Sequence, residues 1–111
     1  MFTRLILVVL IGLPILSPVG AQFKMRAISG VVTDRKGNPL PHAAVQLENT
    51  RNMSVRSYIT GKDGRFNFND LNNDIDFTLR ATYKDWSSKS KTVSKFESST
   101  HPEVNLAILI E

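Results

Sequence analysis

Apolar and polar residues alternate along most of the chain after residue 27, in short runs separated by turn residues. In the longest run the apolar positions are Ile75, Phe77, Leu79, Ala81 and Tyr83, with polar residues between them. Side chains two positions apart lie on the same face of a β-strand, so this run predicts a strand with one buried face. No stretch keeps the period of a helix, and the pattern therefore predicts an all-β domain.

Six further strands are predicted at 28–34, 43–48, 54–60, 65–68, 86–96 and 103–111. The lysines on alternate positions of the 86–96 run indicate an edge strand, where charge discourages pairing with another chain. Short strands with one apolar face each are buried most simply as two stacked sheets. We therefore predict a seven-stranded antiparallel β-sandwich.

Turn residues separate these strands. Residues 35–38 and 61–64 both contain glycine, and the sequence Asp63-Gly64 supplies the positive φ of a tight turn. From the second turn we predict a hairpin between the strands on either side of it. Residues 70–74 are polar and are predicted to form a loop. Gly30, inside the first strand, indicates a bulge or a close approach of another backbone.

The first 21 residues have a different composition, with one cation at Arg4, an apolar run over 5–16 and small residues up to Ala21. This is the pattern of a secretory signal peptide, with cleavage predicted between Ala21 and Gln22. The run is short for a membrane span, although a leader retained as an anchor is an open alternative. We expect a signal peptide at 1–21, a domain at 22–111, and a secreted or periplasmic protein.

Composition narrows the chemistry of the domain. The chain has no cysteine, which excludes disulfides, thiol catalysis and cysteine-based metal sites. The formal net charge is +4 and falls by one when Arg4 leaves with the leader. Because this charge is small and spread along the chain, we expect no nucleic-acid partner.

Four motifs occur in a recognisable order: the strand 28–34, the segment Gly37 to Val45, the segment Thr60 to Leu71, and Phe77 to Ala81. Together they resemble the carboxypeptidase regulatory-like domain family. The resemblance implies a transthyretin-like, Ig-like (prealbumin-like) β-sandwich without catalytic residues or a cofactor. The chain departs from the family at His42, where glycine is frequent, and at Gly61, where aspartate is frequent.

Two aromatic residues, Tyr83 and Trp86, flank Lys84 and Asp85 at the end of the longest predicted strand. Rings placed near a loop can stack on a sugar or contact a peptide, so they are the candidate ligand-binding residues. The alternative is packing, because Tyr83 continues the inward alternation of its strand.

No metal site or catalytic group is predicted. His42 and His101 are the only histidines and lie in different predicted loops, too few to bind zinc without other ligands. Residues 70–76 carry oxygens at alternate positions, but a calcium loop also needs glycine at its sixth position and glutamate at its twelfth. Ile75 and Ala81 stand there, and weak calcium binding is left open.

These observations favour an exported, non-enzymatic accessory module that contacts another envelope or secreted protein through loops or a sheet edge. The alternative is a carbohydrate-binding module of the cell envelope that uses Tyr83 and Trp86. Exposure separates the two, since coplanar, solvent-facing rings favour sugar and buried rings beside an unpaired strand edge favour protein.

Overall fold

The computed structural model describes residues 24–110, which form two β-sheets packed face to face. The strands are β1 (Met25–Thr33), β2 (Ala44–Asn49), β3 (Val55–Ile59), β4 (Arg65–Asn72), β5 (Phe77–Tyr83), β6 (Trp86–Ser87), β7 (Lys91–Val93) and β8 (Leu106–Ala107). The expected signal peptide at 1–21 and its cleavage site lie outside the described residues. Between residues 24 and 110 no helix is long and apolar enough to cross a membrane.

The smaller sheet has the strand order β4-β1-β8, and the larger has the order β3-β2-β5, with β6 and β7 both pairing with β5. The predicted β-sandwich is confirmed. It differs in two details: β1 and β8 are parallel, and the single strand expected over 86–96 is divided into β6 and β7. Ser88 lies between them and is buried; its N donates to Ala81 O at 2.8 Å, while its Oγ, instead of its carbonyl, accepts from Ala81 N at 2.9 Å, which interrupts the regular pairing with β5.

The core lies between the sheets and is built from alternate positions of each strand. Its most deeply buried large side chains are Ile28, Val32, Val45, Leu47, Phe66, Leu71, Leu79, Leu106 and Ile108. The predicted inward faces of β2, β4 and β5 are confirmed by this burial. At the C-terminal end Val104, Leu106 and Ile108 alternate inward as expected, although only Leu106–Ala107 forms a regular strand.

The turn at 61–64 forms, but the hairpin predicted across it is wrong. Gly64 has φ 72° and donates to Gly61 O at 2.9 Å, which closes a tight turn. However, β3 pairs with β2 and β4 pairs with β1, so the turn carries the chain from one sheet to the other. Gly64 is buried at this crossing, where an added Cβ would lie 2.7 Å from Val32 O.

The polar loop predicted at 70–74 is shorter than expected. Strand β4 continues to Asn72, with an irregularity at Asp70, whose φ is 59°. The register of β4 against β1 shifts at this irregularity, so that the side chain of Leu71 again faces the core and Leu71 pairs with Arg26. The sequence did not predict a strand at 69–72 because Leu71 is the only apolar residue of this segment.

Two residues of β1 make close contacts with other parts of the fold, Gly30 with a neighbouring segment of the smaller sheet and Arg26 with the larger sheet. A Cβ on Gly30 would lie 1.8 Å from Val104 O, which confirms the close backbone approach expected there. Arg26 is 3% exposed, and its guanidinium donates to Ser94 O at 2.9 Å and Ile75 O at 2.8 Å. Arg26 thus joins β1 of the smaller sheet to residues that flank β5 and β7 of the larger sheet.

The turn after β1 is closed by a side chain. Asp34 Oδ1 accepts hydrogen bonds from the backbone N–H groups of Asn38 and Lys36, each at 2.9 Å. These bonds stabilise the carboxylate, and the bond from Asn38 N makes the largest contribution to a pKa of Asp34 below its ordinary value. Gly37 completes the turn with φ 89°.

Candidate interaction site

Strand β3 follows a tight connection from β2. Asn49 Oδ1 accepts from Arg51 N at 2.9 Å, and Asn49 O accepts from Met53 N at 2.7 Å. Met53 then takes a positive φ of 65°, and Asn49 N donates to Ser54 O to begin the pairing. This local geometry folds β3 back along β2 with a fixed register.

One edge of β3 has no partner strand among the described residues. Asn49 N donates to Ser54 O and Thr60 N donates to Ala43 O, so even-numbered residues of β3 direct their backbone groups toward β2. Hydrogen-bonding direction alternates along a strand. The N–H and C=O groups of Val55, Ser57 and Ile59 therefore point away from the sheet.

Every residue of β3 is exposed, including three large apolar side chains. The exposed fractions are 54% for Val55, 40% for Tyr58 and 60% for Ile59. Val55 and Ile59 lie on the outer face of the larger sheet, opposite Glu48 and Ala44 of β2. An edge strand that is both apolar and unpaired is the arrangement that proteins usually avoid unless another chain covers it. We call the outer edge and outer face of residues 55–59 the β3 edge.

The other face of β3 contacts the smaller sheet, and this contact fixes the strand in place. The ring centroids of Tyr58 and Phe68 are 6.0 Å apart with their planes at 68°, an edge-to-face contact. Arg56 Nη2 donates to Asn69 O at 3.1 Å. Since Asn69 lies on β4, Arg56 ties together the free edges of the two sheets and holds the β3 edge in an extended form.

The sequence predicted Tyr83 and Trp86 as ligand-binding residues, and the structure brings them together as a cross-strand pair of β5 and β6. Both are partly buried and pack against the hydrophobic core. Lys84 Nζ lies 5.3 Å from the centroid of the Tyr83 ring, within the range of a cation–π contact. Lys84 has a positive φ of 55°, which directs the chain through the turn between the two strands.

The histidines are both exposed and contact different partners. His42 N donates to Thr60 O, whereas His101 Nδ1 lies 3.0 Å from Thr100 Oγ1. Within residues 24–110 no group of three or more histidine and acidic side chains is arranged to hold a metal ion.

Oxygens of the 70–76 segment are used within the fold. Asn72 Oδ1 accepts from Asp74 N at 2.8 Å, and Asp76 Oδ1 accepts from Lys95 N. These bonds shape the turn into β5 and join it to the segment after β7. Weak calcium binding at this segment stays a prediction.

The sequence predicted a strand at 54–60 without identifying it as the unpaired edge. The available signal was the composition of Val55 to Ile59, in which apolar residues occur on both faces and no face is continuously apolar. A strand buried on one face normally keeps its apolar residues on that face. The sequence instead placed an edge at 86–96, and β6 and β7 do form the opposite edge of the larger sheet.

Comparison with known proteins gives one family match. The model of the carboxypeptidase regulatory-like domain matches residues 27–108, which include every strand except the first two residues of β1. None of the curated proteins matches the chain in sequence.

Several solved structures share the fold at low sequence identity. Chlorocatechol 1,2-dioxygenase from Pseudomonas putida superposes with a TM-score of 0.62 at 7% identity, over 79% of this chain and 61% of that one. A DUF3823 family protein from Parabacteroides merdae ATCC 43184 has a TM-score of 0.58 at 22% identity, over 79% of this chain and 47% of that one. The chain thus spans less than two thirds of either protein.

A third structure is similar over a larger share of its own length. The dioxygenase domain of a dioxygenase and carbohydrate-binding protein fusion from Streptomyces sp. SirexAA-E superposes with a TM-score of 0.58 at 11% identity, over 86% of each chain. At such identities the likeness is one of β-sandwich architecture alone.

Proposed function

The chain belongs to the carboxypeptidase regulatory-like domain family, and we propose that it is a non-enzymatic accessory module that binds another protein through the β3 edge. The observation that carries this proposal is the exposure of all five residues of β3 beside an unpaired backbone edge. An extended segment of a partner adds to such an edge as a further strand, with main-chain hydrogen bonds for affinity and side-chain contacts for specificity.

The geometry of the aromatic pair supports a protein partner over a sugar. Sugar stacking needs open ring faces, whereas Tyr83 and Trp86 are partly buried and Lys84 lies over the Tyr83 ring. The rings therefore contribute to the packing of the β5–β6 corner. A carbohydrate-binding module of the cell envelope stays the alternative prediction, and its test is binding of the purified protein to a polysaccharide panel.

The proposed setting is outside the cytoplasm, with another envelope or secreted protein as partner. The basis is the leader-like sequence of Met1 to Ala21, with small residues before Gln22. Mass spectrometry of the protein recovered from the envelope and secreted fractions is expected to give Gln22 as its first residue. Recovery of the intact chain from the cytoplasm alone would contradict this setting.

Site-specific photo-crosslinking tests the β3 edge. A crosslinking residue in place of Val55 is expected to capture a partner from the envelope fraction. The matched control replaces Thr92, which is exposed on β7 at the opposite edge of the same sheet. Equal crosslinking from both positions would contradict binding at the β3 edge.

A proline substitution then tests the backbone pairing. Ser57→Pro removes an outward-pointing N–H without removing a hydrogen bond to β2, because Ser57 directs its backbone away from that strand. We expect Ser57→Pro to abolish the crosslink from position 55 and Ser57→Ala to preserve it. A crosslink that survives in the proline variant would exclude strand addition as the binding mode.

A further inference from the structure

The residues of β3 are arranged symmetrically about the centre of the strand. Val55 and Ile59 are apolar residues placed two positions to either side of Ser57, and Arg56 and Tyr58 flank it on the other face. The backbone groups that point away from the sheet are those of Val55, Ser57 and Ile59, and they share this symmetry. A strand of this kind can pair with an antiparallel copy of itself so that all three residues find hydrogen-bonding partners.

The outer face of such a pair is apolar. In an antiparallel pair centred on Ser57, Val55 of each chain lies opposite Ile59 of the other. These side chains are 54% and 60% exposed in the single chain, so the two cross-strand pairs remove apolar surface from water. The two Ser57 residues lie opposite each other at the two-fold axis and exchange backbone hydrogen bonds.

The inner face of the pair joins a cation to an aromatic ring. Arg56 is the only charged residue of β3, and in this register it lies opposite Tyr58 of the other chain. Cross-strand neighbours have Cβ atoms about 4.5–5.5 Å apart, which allows a guanidinium to contact a ring. Tyr58 is 40% exposed, and Arg56 uses Nη2 for its bond to Asn69 O, which leaves its other N–H groups free for the second chain.

Neighbouring registers are less favourable. A two-fold axis at Arg56 also matches outward-pointing groups, but it places the two Arg56 side chains opposite each other, and like charges in that position are destabilising. An axis at Tyr58 pairs Val55 with Gly61, which lies beyond the end of β3. Of these three registers, only the one centred on Ser57 pairs every outward-pointing residue of the strand and separates the two cations.

We propose that a second copy of this chain occupies the β3 edge when no other partner is bound, in an antiparallel two-fold dimer centred on Ser57. This inference rests on the proposed function, because it concerns the same surface and makes the second copy a competitor of the partner. The strand contributes five residues per chain, whereas stable interfaces have about 20–30 residues a side. The dimer is therefore weak and can be displaced.

Single-cysteine variants test the register, because the natural chain has no cysteine. Directly opposed Ser57 residues have Cα atoms about 5.5 Å apart, within the range of roughly 4.4–6.8 Å that a disulfide spans. Ser57→Cys is therefore expected to form a disulfide-linked dimer on mild oxidation. Val55→Cys alone is expected not to, since its copy lies four residues along the strand, about 13 Å away.

A mixture of two variants sharpens this test. Val55→Cys and Ile59→Cys proteins combined in equal amounts are expected to form the mixed disulfide, because these positions oppose each other in the proposed dimer. Thr92→Cys, exposed on β7 at the other edge of the larger sheet, measures linkage by random collision. Equal linkage of the Ser57→Cys, Val55→Cys and Thr92→Cys proteins would overturn the proposal.

Sedimentation equilibrium of the purified protein tests the dimer without any cysteine. The average mass is expected to rise toward that of two chains as the protein concentration is raised. Ser57→Pro is expected to stay monomeric because it lacks the N–H at the axis, and Ser57→Ala is expected to dimerise like the wild type. A wild-type protein that is monomeric throughout, or a proline variant that dimerises equally well, would overturn the proposal.

Failure of the dimer and failure of the proposed function give different results, because the purified protein contains no other partner. A monomer that still captures an envelope protein from position 55 overturns the dimer and leaves the proposed function intact. A dimer centred on Ser57 without such capture supports the dimer and contradicts the accessory role. The disulfide-linked Ser57→Cys dimer is expected to lose capture from position 55, and undiminished capture would overturn the competition between copy and partner.

Discussion

His42 occupies a backbone conformation that suits glycine. Its φ is 64°, and its side chain is exposed. The left-handed region costs a non-glycine residue about 1–2 kcal/mol. The family resemblance implies glycine at this place, and the backbone of this chain retains the turn that such a glycine would form.

Replacing His42 by glycine is therefore expected to stabilise the domain. Glycine removes the strain of the left-handed conformation, but it loses more chain entropy on folding, which costs roughly 0.5–1 kcal/mol. The difference leaves a gain in stability of about 0.5 kcal/mol. For a domain of this size that gain corresponds to a rise of about 2–4 °C in Tm, measurable by thermal circular dichroism. His42→Ala keeps the unfavourable φ, so an equal rise in the alanine variant would contradict the explanation.

At the scale of strands, the contact between β1 and the segment leading to β8 requires a residue without a side chain. A Cβ on Gly30 would lie 1.8 Å from Val104 O and 2.8 Å from Phe66 Cζ. Backbone atoms cannot yield as a flexible side chain can, so the two strands would have to separate.

Gly30→Ala is expected to destabilise the fold by about 1–3 kcal/mol in urea unfolding. The control is Gly61→Ala, where the nearest atom to the new Cβ is Asp63 Oδ1 at 3.8 Å. That variant is expected to change the free energy of unfolding by less than about 1 kcal/mol. A Gly30→Ala protein as stable as the wild type would show that the strands adjust without cost.

Alternation along each run was enough to predict which residues face the core, because side-chain direction depends on local geometry alone. Phe66, Phe68, Phe77 and Leu79 are all buried as predicted. Pairing was harder: the turn at 61–64 has hairpin chemistry, yet its strands belong to different sheets. Turn residues determine the local path of the chain. Which strands pair with each other depends on burial of residues that are far apart in the sequence, and a short segment does not show this.

Arg26 acts at the scale of the whole molecule because it connects the two sheets. Besides its bonds to Ile75 O and Ser94 O, its Cζ lies 5.7 Å from the centroid of the Phe77 ring. Burial lowers the pKa of Arg26, and the nearby carboxylates of Asp76 and Glu97 oppose that shift. Inward-facing positions alternate along β1 from Val32 back to Arg26. This alternation indicates that Arg26 faces inward, although a charged residue is not expected in the core.

Arg26→Met is expected to destabilise the domain by about 2–4 kcal/mol, because backbone carbonyls that accept from the guanidinium lose their donor. The measurement is urea unfolding followed by circular dichroism. Arg80→Met is the control, since Arg80 is exposed on β5 and its loss is expected to change stability by about 0.5 kcal/mol or less. Equal stability of the two variants would remove the inter-sheet role of Arg26.

The candidate surface could not be predicted to the same degree as the fold. The β3 edge depends on which strand is left unpaired, and this follows only from the topology of the two sheets. The aromatic pair predicted from the sequence did come together, since Tyr83 and Trp86 are joined by a short local connection.

The position of β1 in the middle of the smaller sheet governs when the fold can be completed. Strand β1 pairs with β4 along one edge and with β8 along the other. Its second edge is therefore covered only when residues 106–107 are present. Folding is slow when the residues in contact are far apart in the sequence, as β1 and β8 are. A nascent chain therefore exposes one edge of β1 until residues 106–107 have left the ribosome.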